Sequence, residues 1–302
     1  MGGPVPWFGN RPGVWQGGGG FSSVVAAMRL LCLALLSSLL TACAGGQQSL
    51  PPGASYVAMG SSFAAGPGLL PYVPGAPARC ARSSRNYAQQ LAVKRGLALV
   101  DVTCSGAATG AVLDGWNELP AQMTAIGTDT RLVTITIGGN DVAYIGNMIA
   151  ASCQILAAGA GQGMDKCRAP AWPTEDGFQR LDTSLRRVAA EIRSRAPEAI
   201  VVFVDYAAIL PPIGTCAATP LSAESAERLR DIDRRLRGLT AAAAEASGTF
   251  LLKVSDLSRD HGACSTVSWM TGYPAPPGVA PYHPNLAGMT AVAEALDRLL
   301  PR

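Results

Sequence analysis

The stretch Arg131–Asp141 reads RLVTITIGGND and contains the clearest strand signal in the chain. Leu132–Ile137 is an unbroken run of aliphatic and β-branched residues, and a double glycine follows it directly. A strand that is buried on both faces has this composition, because helices cover both faces of a parallel sheet. The stretch therefore predicts a central strand, with Asn140 and Asp141 just beyond its carboxyl end.

Short apolar runs alternate with helix-length segments along the rest of the chain. Gly177–Ala196, for example, carries apolar residues at i, i+3 and i+4 spacing among charged ones and ends before Pro197. This alternation predicts one α/β domain with a parallel sheet, whose active crevice lies at the carboxyl ends of the strands. The predicted strands are Ser55–Met59, Ala98–Thr103, Leu132–Ile137, Ile200–Asp205 and Thr249–Val254. The predicted helices are Asn86–Arg95, Gly177–Ala196, Ala223–Ser247 and Asn285–Leu300.

Three further segments are rich in Gly, Pro or Ala and fit neither pattern: Pro67–Ser84, Ile155–Thr174 and His261–Pro281. Long loops inside a compact domain are usually functional or disordered. Each of these three contains a cysteine, so we expect them to be ordered by disulfides and to form the walls of a substrate site.

The start of the chain has the pattern of a secretory signal. Met28-Arg29 is followed by LLCLALLSSLL, an apolar stretch that is too short for a stop-transfer helix. Leu40–Cys43 reads LTAC and resembles the lipobox of bacterial lipoproteins, which implies that Cys43 is lipidated and becomes the first residue. The alternative is a soluble secreted protein, cleaved nearby, in which Cys43 is unmodified.

These patterns predict three regions of the chain. Residues 1–42 form an N-terminal extension and lipoprotein signal peptide, residues 43–54 a flexible tether, and residues 55–302 the folded domain. The predicted location is outside the cytoplasm, either anchored by lipid to the outer face of the cell membrane or held in the cell envelope.

Cysteine usage agrees with export. Of the eight cysteines, Cys32 lies in the signal and Cys43 at its end, and the remaining six allow fifteen disulfide connectivities. The sequential pairing closes the shortest loops and is the one that we predict. It joins Cys80 to Cys104, Cys153 to Cys167, and Cys216 to Cys264.

The overall charge argues against nucleic acid as a partner. Residues 1–42 carry two arginines and no acidic residue, so the rest of the chain has 22 basic and 21 acidic residues, a net charge of +1. A nearly neutral domain has no electrostatic footprint for nucleic acid. Because the chain has two histidines and no CxxC spacing, a structural zinc site is not expected either. We predict a monomer that needs no metal or cofactor.

Four polar or glycine positions follow predicted strands or precede the last helix. Ser62 lies in GSSFAAG after the first strand, Gly106 in CSGAATG after the second, and Asn140 in IGGND after the third. His283 lies in PYHPN, just before the last helix. Each of these alone is typical of an ordinary turn, but together they lie at one edge of one sheet.

The order and placement of these four residues resemble an SGNH hydrolase of the GDSL lipase/esterase superfamily. The matching blocks are GSSFAAG, CSGAATG, TITIGGND and PYHPN, and they extend from Gly60 to Asn285. With the secretory signal and the cysteines, the chain is most similar to the secreted actinobacterial esterase/lipase branch. The resemblance implies a flavodoxin-like, three-layer α/β/α sandwich with a parallel sheet of about five strands.

The resemblance also implies a role for each of the four residues. Ser62 would be the nucleophile, and His283 the general base and then the general acid. The oxyanion hole would consist of the Ser62 N–H, the Gly106 N–H and the Asn140 side chain. These roles agree with the chemistry of the residues, because a serine hydroxyl needs a base to activate it and donors to stabilise the oxyanion.

The chain departs from the family pattern at two positions. The first block usually reads Gly-Asp-Ser, but Ser61 occupies the aspartate position. The family acid lies three residues before the histidine, where this chain has Ala280. We therefore predict that a main-chain carbonyl, that of Ala280 or a neighbour, orients His283. The alternative is a carboxylate from elsewhere, that of Asp141, Asp256 or Asp260.

Taken together, the sequence predicts a lipid-anchored serine esterase or lipase. It would hydrolyse carboxylic esters with short or medium acyl chains, or lipid esters, through an acyl-enzyme. One alternative is a deacetylase of envelope carbohydrates or an acyltransferase, since the same acyl-enzyme can pass its acyl group to a hydroxyl. A second alternative, suggested by the absent acid, is a non-catalytic envelope-binding lipoprotein.

Overall fold

The structure, a computed structural model, describes residues 49–302. The predicted signal peptide, Cys43 and most of the tether lie outside the described residues. The domain begins before residue 55, where we predicted its start, because Leu50 is buried and the Gly53 N–H donates to the Gly96 carbonyl at 2.7 Å. The last residues assigned to a flexible tether are therefore part of the folded domain.

The domain is built on a five-stranded, fully parallel sheet with the strand order β2-β1-β3-β4-β5. Two of its three inner strands, β3 and β4, are almost completely buried, as the unbroken apolar runs in the sequence predict. All five predicted strands are confirmed, with ends that differ by a few residues. The strands are β1 Ser55–Gly60, β2 Ala98–Asp101, β3 Thr130–Thr136, β4 Ile200–Val204 and β5 Phe250–Leu252.

Eight α-helices accompany these strands in the described part of the chain. They are α1 Ser62–Ala65, α2 Tyr87–Arg95, α3 Thr109–Leu113, α4 Tyr144–Gly159, α5 Glu175–Arg195, α6 Ala223–Ala246, α7 Val254–Leu257 and α8 Leu286–Leu299. None of the helices within residues 49–302 is long and apolar enough to cross a bilayer. The segment Ile155–Thr174 was predicted as loop throughout, and this is wrong for its first five residues, because the alanine-rich α4 continues to Gly159.

The helices form two groups. Helices α2 and α8 pack against each other, while α6 packs against α4 and α5, and α5 also contacts α3. Because crossovers between parallel strands are right-handed, the two groups cover opposite faces of the sheet. The result is the predicted three-layer α/β/α sandwich.

The strand order fixes where the active crevice lies. The chain passes from β1 outward to β2 and then returns across β1 to β3, so the direction of winding reverses between β1 and β3. In sheets of this type, a crevice opens at the carboxyl ends of the strands on either side of the reversal. Ser62 follows β1 and Asn140 follows β3, so the fold brings these two residues to the same crevice.

Three disulfides hold the long loops onto this framework. The six cysteines are joined in the sequential pairing that we predicted, Cys80–Cys104, Cys153–Cys167 and Cys216–Cys264. Cys104 lies two residues before Gly106, so the first of these bonds ties the segment that carries Gly106 to the loop that follows α1.

Candidate active site

Ser62 is positioned by an unusually close approach of β1 to β3. Gly60, the last residue of β1, has a φ of 125°, and a Cβ at this position would lie 2.3 Å from the Thr136 carbonyl oxygen. The Ser61 N–H then donates to the same oxygen at 2.9 Å. The chain turns at this point, and Ser62 becomes the first residue of α1, with 9% of its surface exposed.

His283 is hydrogen-bonded at both ring nitrogens. Its Nε2 lies 2.8 Å from Ser62 Oγ, and its Nδ1 lies 2.7 Å from the Pro281 carbonyl oxygen. Since a carbonyl oxygen can only accept, Nδ1 carries the proton, and Nε2 of the neutral ring accepts from the Ser62 hydroxyl. This is the arrangement that a serine nucleophile and its general base require.

The carbonyl that faces Nδ1 belongs to Pro281, the neighbour of Ala280, which is the residue that we named first. The Ala280 carbonyl instead accepts a hydrogen bond from Thr271 Oγ1 at 2.6 Å. Tyr282 adopts a φ of 59°, and in this turn the chain presents the Pro281 carbonyl to the imidazole. Thr271 also accepts from the His283 N–H at 3.0 Å, so one side chain holds both ends of the turn.

The alternative prediction, an orienting carboxylate, does not fit the geometry. Asp141 accepts from the Thr109 N–H at 3.1 Å, and Asp256 pairs with Arg259 at 3.2 Å. Both nitrogens of His283 already have partners, Ser62 Oγ and the Pro281 carbonyl. Within residues 49–302, neither these two aspartates nor Asp260 is bonded to the imidazole.

The surroundings of His283 keep its ring neutral. Burial lowers the pKa of His283 to about 4, and the hydrogen bond to the Pro281 carbonyl opposes this effect only in part. Phe63 contributes to the apolar environment, with its ring centroid 5.3 Å from that of His283. The imidazole is therefore unprotonated at neutral pH, as proton abstraction from Ser62 would require.

The three predicted oxyanion donors lie on neighbouring segments. Neither the Ser62 N–H nor the Gly106 N–H has an acceptor among the residues that the structure describes, and Gly106 has a φ of 86°. Asn140 Nδ2 donates to the Ala107 carbonyl at 2.8 Å, which fixes its amide beside the Gly106 segment and leaves its second hydrogen available. Their joint action as an oxyanion hole remains a prediction.

Tyr206 is a site residue that sequence reasoning missed. Its hydroxyl accepts from the Gly139 N–H at 2.9 Å and lies 3.2 Å from Ser61 Oγ. Burial raises the pKa of Tyr206 to about 12, so the hydroxyl keeps its proton and can donate to Ser61. It thereby connects the residue before the nucleophile with the residue before Asn140. The signal in the sequence was its position directly after the β4 run IVVFVD, at the same edge of the sheet.

Gln122 was also missed by sequence reasoning, and its side chain holds the last residue of β1 in place. Its side chain accepts from the Gly60 N–H at 2.7 Å and donates to the Gly60 carbonyl at 3.0 Å.

Among the described residues, no group of three or more His, Cys, Asp and Glu side chains is placed to hold a metal ion. That the reaction needs no metal stays a prediction.

Comparison with known proteins identifies the family. The family model described as GDSL-like Lipase/Acylhydrolase family matches residues 58–291, most of the described domain. The chain belongs to this family. It is therefore a carboxylic ester hydrolase of the serine type, and the resemblance drawn from the four sequence blocks is confirmed.

Individual relatives agree with this assignment. The chain is 33% identical to Lipase 2 of Streptomyces coelicolor over 283 residues, which cover 90% of this chain and 94% of the lipase. It is 31% identical to a lipase of Streptomyces rimosus, with 78% of this chain and 82% of that protein covered.

Two solved structures show the same fold. Phospholipase A1 from Streptomyces albidoflavus NA297 superposes with a TM-score of 0.65 at 26% identity, covering 82% of this chain and 99% of that one. The extracellular lipase of Streptomyces rimosus superposes with a TM-score of 0.66 at 28% identity and the same coverage. The similarity to an extracellular enzyme supports the predicted export of this protein.

The low pKa of His283 predicts that the enzyme stays active in moderate acid. Protonation of the imidazole removes the base, so activity should disappear only as the pH falls through the folded-state pKa of about 4. We expect kcat/KM for p-nitrophenyl butyrate to be nearly constant from about pH 7 to about pH 5 and to fall below that. Tryptophan fluorescence at each pH controls for unfolding. An acid limb near the ordinary histidine pKa of about 6.5 would contradict the assignment.

Replacement of Tyr206 should affect catalysis more than binding. In Tyr206→Phe, the Gly139 N–H and the Ser61 hydroxyl both lose their partner, so the oxyanion donors on either side of them are held less firmly. We expect kcat to fall about tenfold, with a smaller change in KM. Tyr56→Phe is the matched control, since it removes a buried hydroxyl that bonds to Thr134 inside the sheet. Equal losses of kcat in both variants would show that Tyr206 acts on stability alone.

Proposed function

We propose that this protein is an esterase that hydrolyses carboxylic esters with short or medium acyl chains, or lipid esters, through an acyl-enzyme on Ser62. The observation that carries the proposal is the hydrogen-bonded chain from Ser62 Oγ through His283 to the Pro281 carbonyl, with distances of 2.8 and 2.7 Å. A serine, a neutral imidazole and an orienting acceptor in this order can activate a hydroxyl for acyl transfer.

In the first half of the reaction, His283 Nε2 takes the proton of Ser62 as Oγ bonds to the ester carbonyl carbon. The carbonyl oxygen becomes an oxyanion, which the N–H groups of Ser62 and Gly106 and the Asn140 amide stabilise. As the tetrahedral intermediate collapses, the bond to the leaving oxygen breaks and His283 gives its proton to that oxygen. The alcohol leaves, and the acyl group stays on Ser62.

In the second half, water replaces the alcohol. His283 removes a proton from the water as its oxygen attacks the acyl carbon, and a second tetrahedral intermediate forms at the same donors. This intermediate collapses with the return of the proton to Ser62 Oγ, and the carboxylic acid is released. The Pro281 carbonyl keeps Nδ1–H in place throughout and accepts a stronger hydrogen bond whenever the ring is positively charged.

The same geometry also helps to compare the alternative functions. A complete Ser62–His283 pair and membership of a hydrolase family argue against a non-catalytic envelope-binding lipoprotein. Deacetylation of envelope carbohydrates and acyl transfer to a hydroxyl would use the same acyl-enzyme, and no observation favours either over hydrolysis. The names of two relatives, which are both lipases, favour the hydrolysis of lipid or simple esters.

Variants of the two adjacent serines test this function. Ser62→Ala removes the nucleophile and should lower kcat for p-nitrophenyl butyrate by about 10⁴-fold or more. Ser61→Ala is the matched control, because it removes only a hydroxyl bonded to Tyr206 and should cost about tenfold or less. A fluorophosphonate should label the wild type and Ser61→Ala but not Ser62→Ala. Undiminished turnover by Ser62→Ala, or no turnover and no labelling of the wild type, would refute the proposal.

We further propose that the enzyme is exported and anchored by a lipid on Cys43, a residue that lies outside the described part of the chain. The support is the LTAC sequence after an apolar signal. In a bacterial host, Cys43→Ala should move the protein from the membrane fraction to the soluble exported fraction, as measured by fractionation and immunoblotting. Cys32→Ala, in the signal itself, is the matched control. A Cys43→Ala protein that stays as membrane-bound as the wild type would refute the anchor.

A further inference from the structure

Asp141 directly follows Asn140 but plays no part in the reaction steps above. The Thr109 N–H is shared between both oxygens of its carboxylate, at 3.1 and 3.2 Å, and the Thr109 hydroxyl donates to one of them at 2.5 Å. Thr109 is buried and lies three residues after Gly106. The contact between Asp141 and Thr109 therefore joins the two segments that carry Asn140 and Gly106, two of the predicted oxyanion donors.

A half-buried carboxylate in this position is costly. Burial raises the pKa of Asp141, and the hydrogen bonds from Thr109 oppose this effect only in part. Within residues 49–302, no arginine, lysine or histidine is among the groups that lower this pKa. An ionised group that is partly withdrawn from water without a cation costs free energy, and carboxylates of this kind cluster at functional sites.

The carboxylate also takes the place of a missing helix cap. Helix α3 begins at Thr109, and the side chain of its N-cap residue, Ala108, has no atom that could accept from the first N–H groups. Asp141 supplies this acceptor from another segment. A hydrogen bond to an ionised acceptor is about twice as strong as one between neutral groups, so the contact links α3 firmly to the turn after β3.

The Gly106 segment is thus anchored at both ends. On one side, the Cys104 N–H donates to the Gly60 carbonyl at 3.0 Å, which ties the segment to the end of β1. On the other side, Thr109 is held by Asp141, which follows β3. Gly106 lies between these two anchors, so its N–H keeps a fixed position relative to both strands.

The Asn140 side chain does not fix this position by itself. Its amide donates to the Ala107 carbonyl at 2.8 Å, and two segments joined by one hydrogen bond can rotate about it. The bonds between Asp141 and Thr109 lie further along the same two segments and remove that rotation. The donors of an oxyanion hole have to be preorganised in this way, because a displacement of about 1 Å can lower the rate about a hundredfold.

We propose that Asp141 is a positioning residue of the oxyanion hole, which sets the distance between the Gly106 N–H and the Asn140 amide through its bonds to Thr109. This inference rests on the proposed function and adds a residue to it. Asp141 acts through Thr109 and Asn140 and makes no contact of its own with the reacting atoms.

Substitutions on both sides of the contact test the proposal. Asp141→Asn leaves one acceptor atom where Thr109 now meets two, and Thr109→Val removes the hydroxyl, with little change of shape in either variant. We expect each to lower kcat for p-nitrophenyl butyrate about tenfold to a hundredfold, with KM changed less than about threefold. Thr109→Ser keeps both donors and should stay within about threefold of the wild-type kcat. The double variant should lose no more than the worse single variant, because both changes break the same contact.

Ser255→Ala is the matched control. Ser255 lies in the first turn of α7, and its N–H and hydroxyl donate to the Asp205 carboxylate at 2.9 and 2.6 Å, the same arrangement as between Thr109 and Asp141. This contact joins no oxyanion donors, so the kcat of Ser255→Ala should stay within about twofold of the wild type. Equal losses of kcat in Ser255→Ala and Thr109→Val would show that such contacts serve stability alone and would overturn the proposal.

A transition-state analogue distinguishes positioning from a structural role. A trifluoromethyl ketone forms a tetrahedral adduct with the reactive serine, and the oxygen of this adduct occupies the oxyanion hole. In Asp141→Asn and Thr109→Val, its Ki should therefore rise by the same factor by which kcat/KM falls. A Ki that stays at the wild-type value while kcat falls would contradict the proposal.

The outcomes separate this inference from the function on which it rests. Wild-type turnover with an unchanged kcat in Asp141→Asn would overturn the positioning role and leave the esterase intact. If the wild type hydrolyses no ester, the proposed function fails, and amide hydrogen exchange still decides whether Asp141 holds the segment.

The Ala107 N–H is the reporter for that measurement, because it donates to the Cys104 carbonyl at 3.1 Å inside the segment and not to Asp141. Its exchange, followed by NMR, should become at least about tenfold faster in Asp141→Asn and stay unchanged in Ser255→Ala. A wild-type exchange rate in Asp141→Asn would refute the proposal.

Discussion

The contact between the last residue of β1 and the backbone of β3 determines the geometry of the whole site. Thr136 approaches Gly60 so closely that no side chain fits between them, and its carbonyl also accepts from the Ser61 N–H. Gln122 completes the support by bonding both backbone groups of Gly60. As a result, Ser62 leaves the sheet at a fixed point of the crevice between β1 and β3, and the other catalytic groups are placed relative to that point.

His283 is oriented without a carboxylate. A carboxylate beside His283 would stabilise the imidazolium and raise the pKa of the ring, whereas the Pro281 carbonyl fixes the tautomer but supplies no full charge. Burial acts in the opposite direction and lowers the pKa to about 4. The imidazole therefore stays neutral in moderate acid, and in the proposed reaction more of the developing charge would have to be stabilised by the oxyanion donors.

The sequence was sufficient for the features that follow from local patterns. The apolar run of β3 and the alternation of strands and helices predicted the sheet, and the order of Ser62, Gly106, Asn140 and His283 predicted the family. The features that the sequence could not predict depend on the direction of the backbone or on contacts between residues far apart in the chain. Choosing Pro281 over Ala280 requires the conformation of Tyr282, whose φ is 59°. The role of Tyr206 requires knowing that its hydroxyl reaches Gly139 and Ser61 from a third strand.

The fold also separates the Ser62–His283 pair from the loops at the β2 edge of the sheet. Ser62 and Asn140 follow β1 and β3, two strands bonded along their length, and His283 is held by the turn before α8. An apolar cavity of about 220 Å³ is instead built from the β2 edge of the sheet and from loops, and Trp116 and the Cys80–Cys104 bond lie in its wall. Gly106 is the residue where the two regions touch, because a Cβ on it would lie 2.9 Å from the Trp116 ring. Substitutions in the cavity wall can thus change those loops while Ser62 and His283 keep their positions at the rigid part of the sheet.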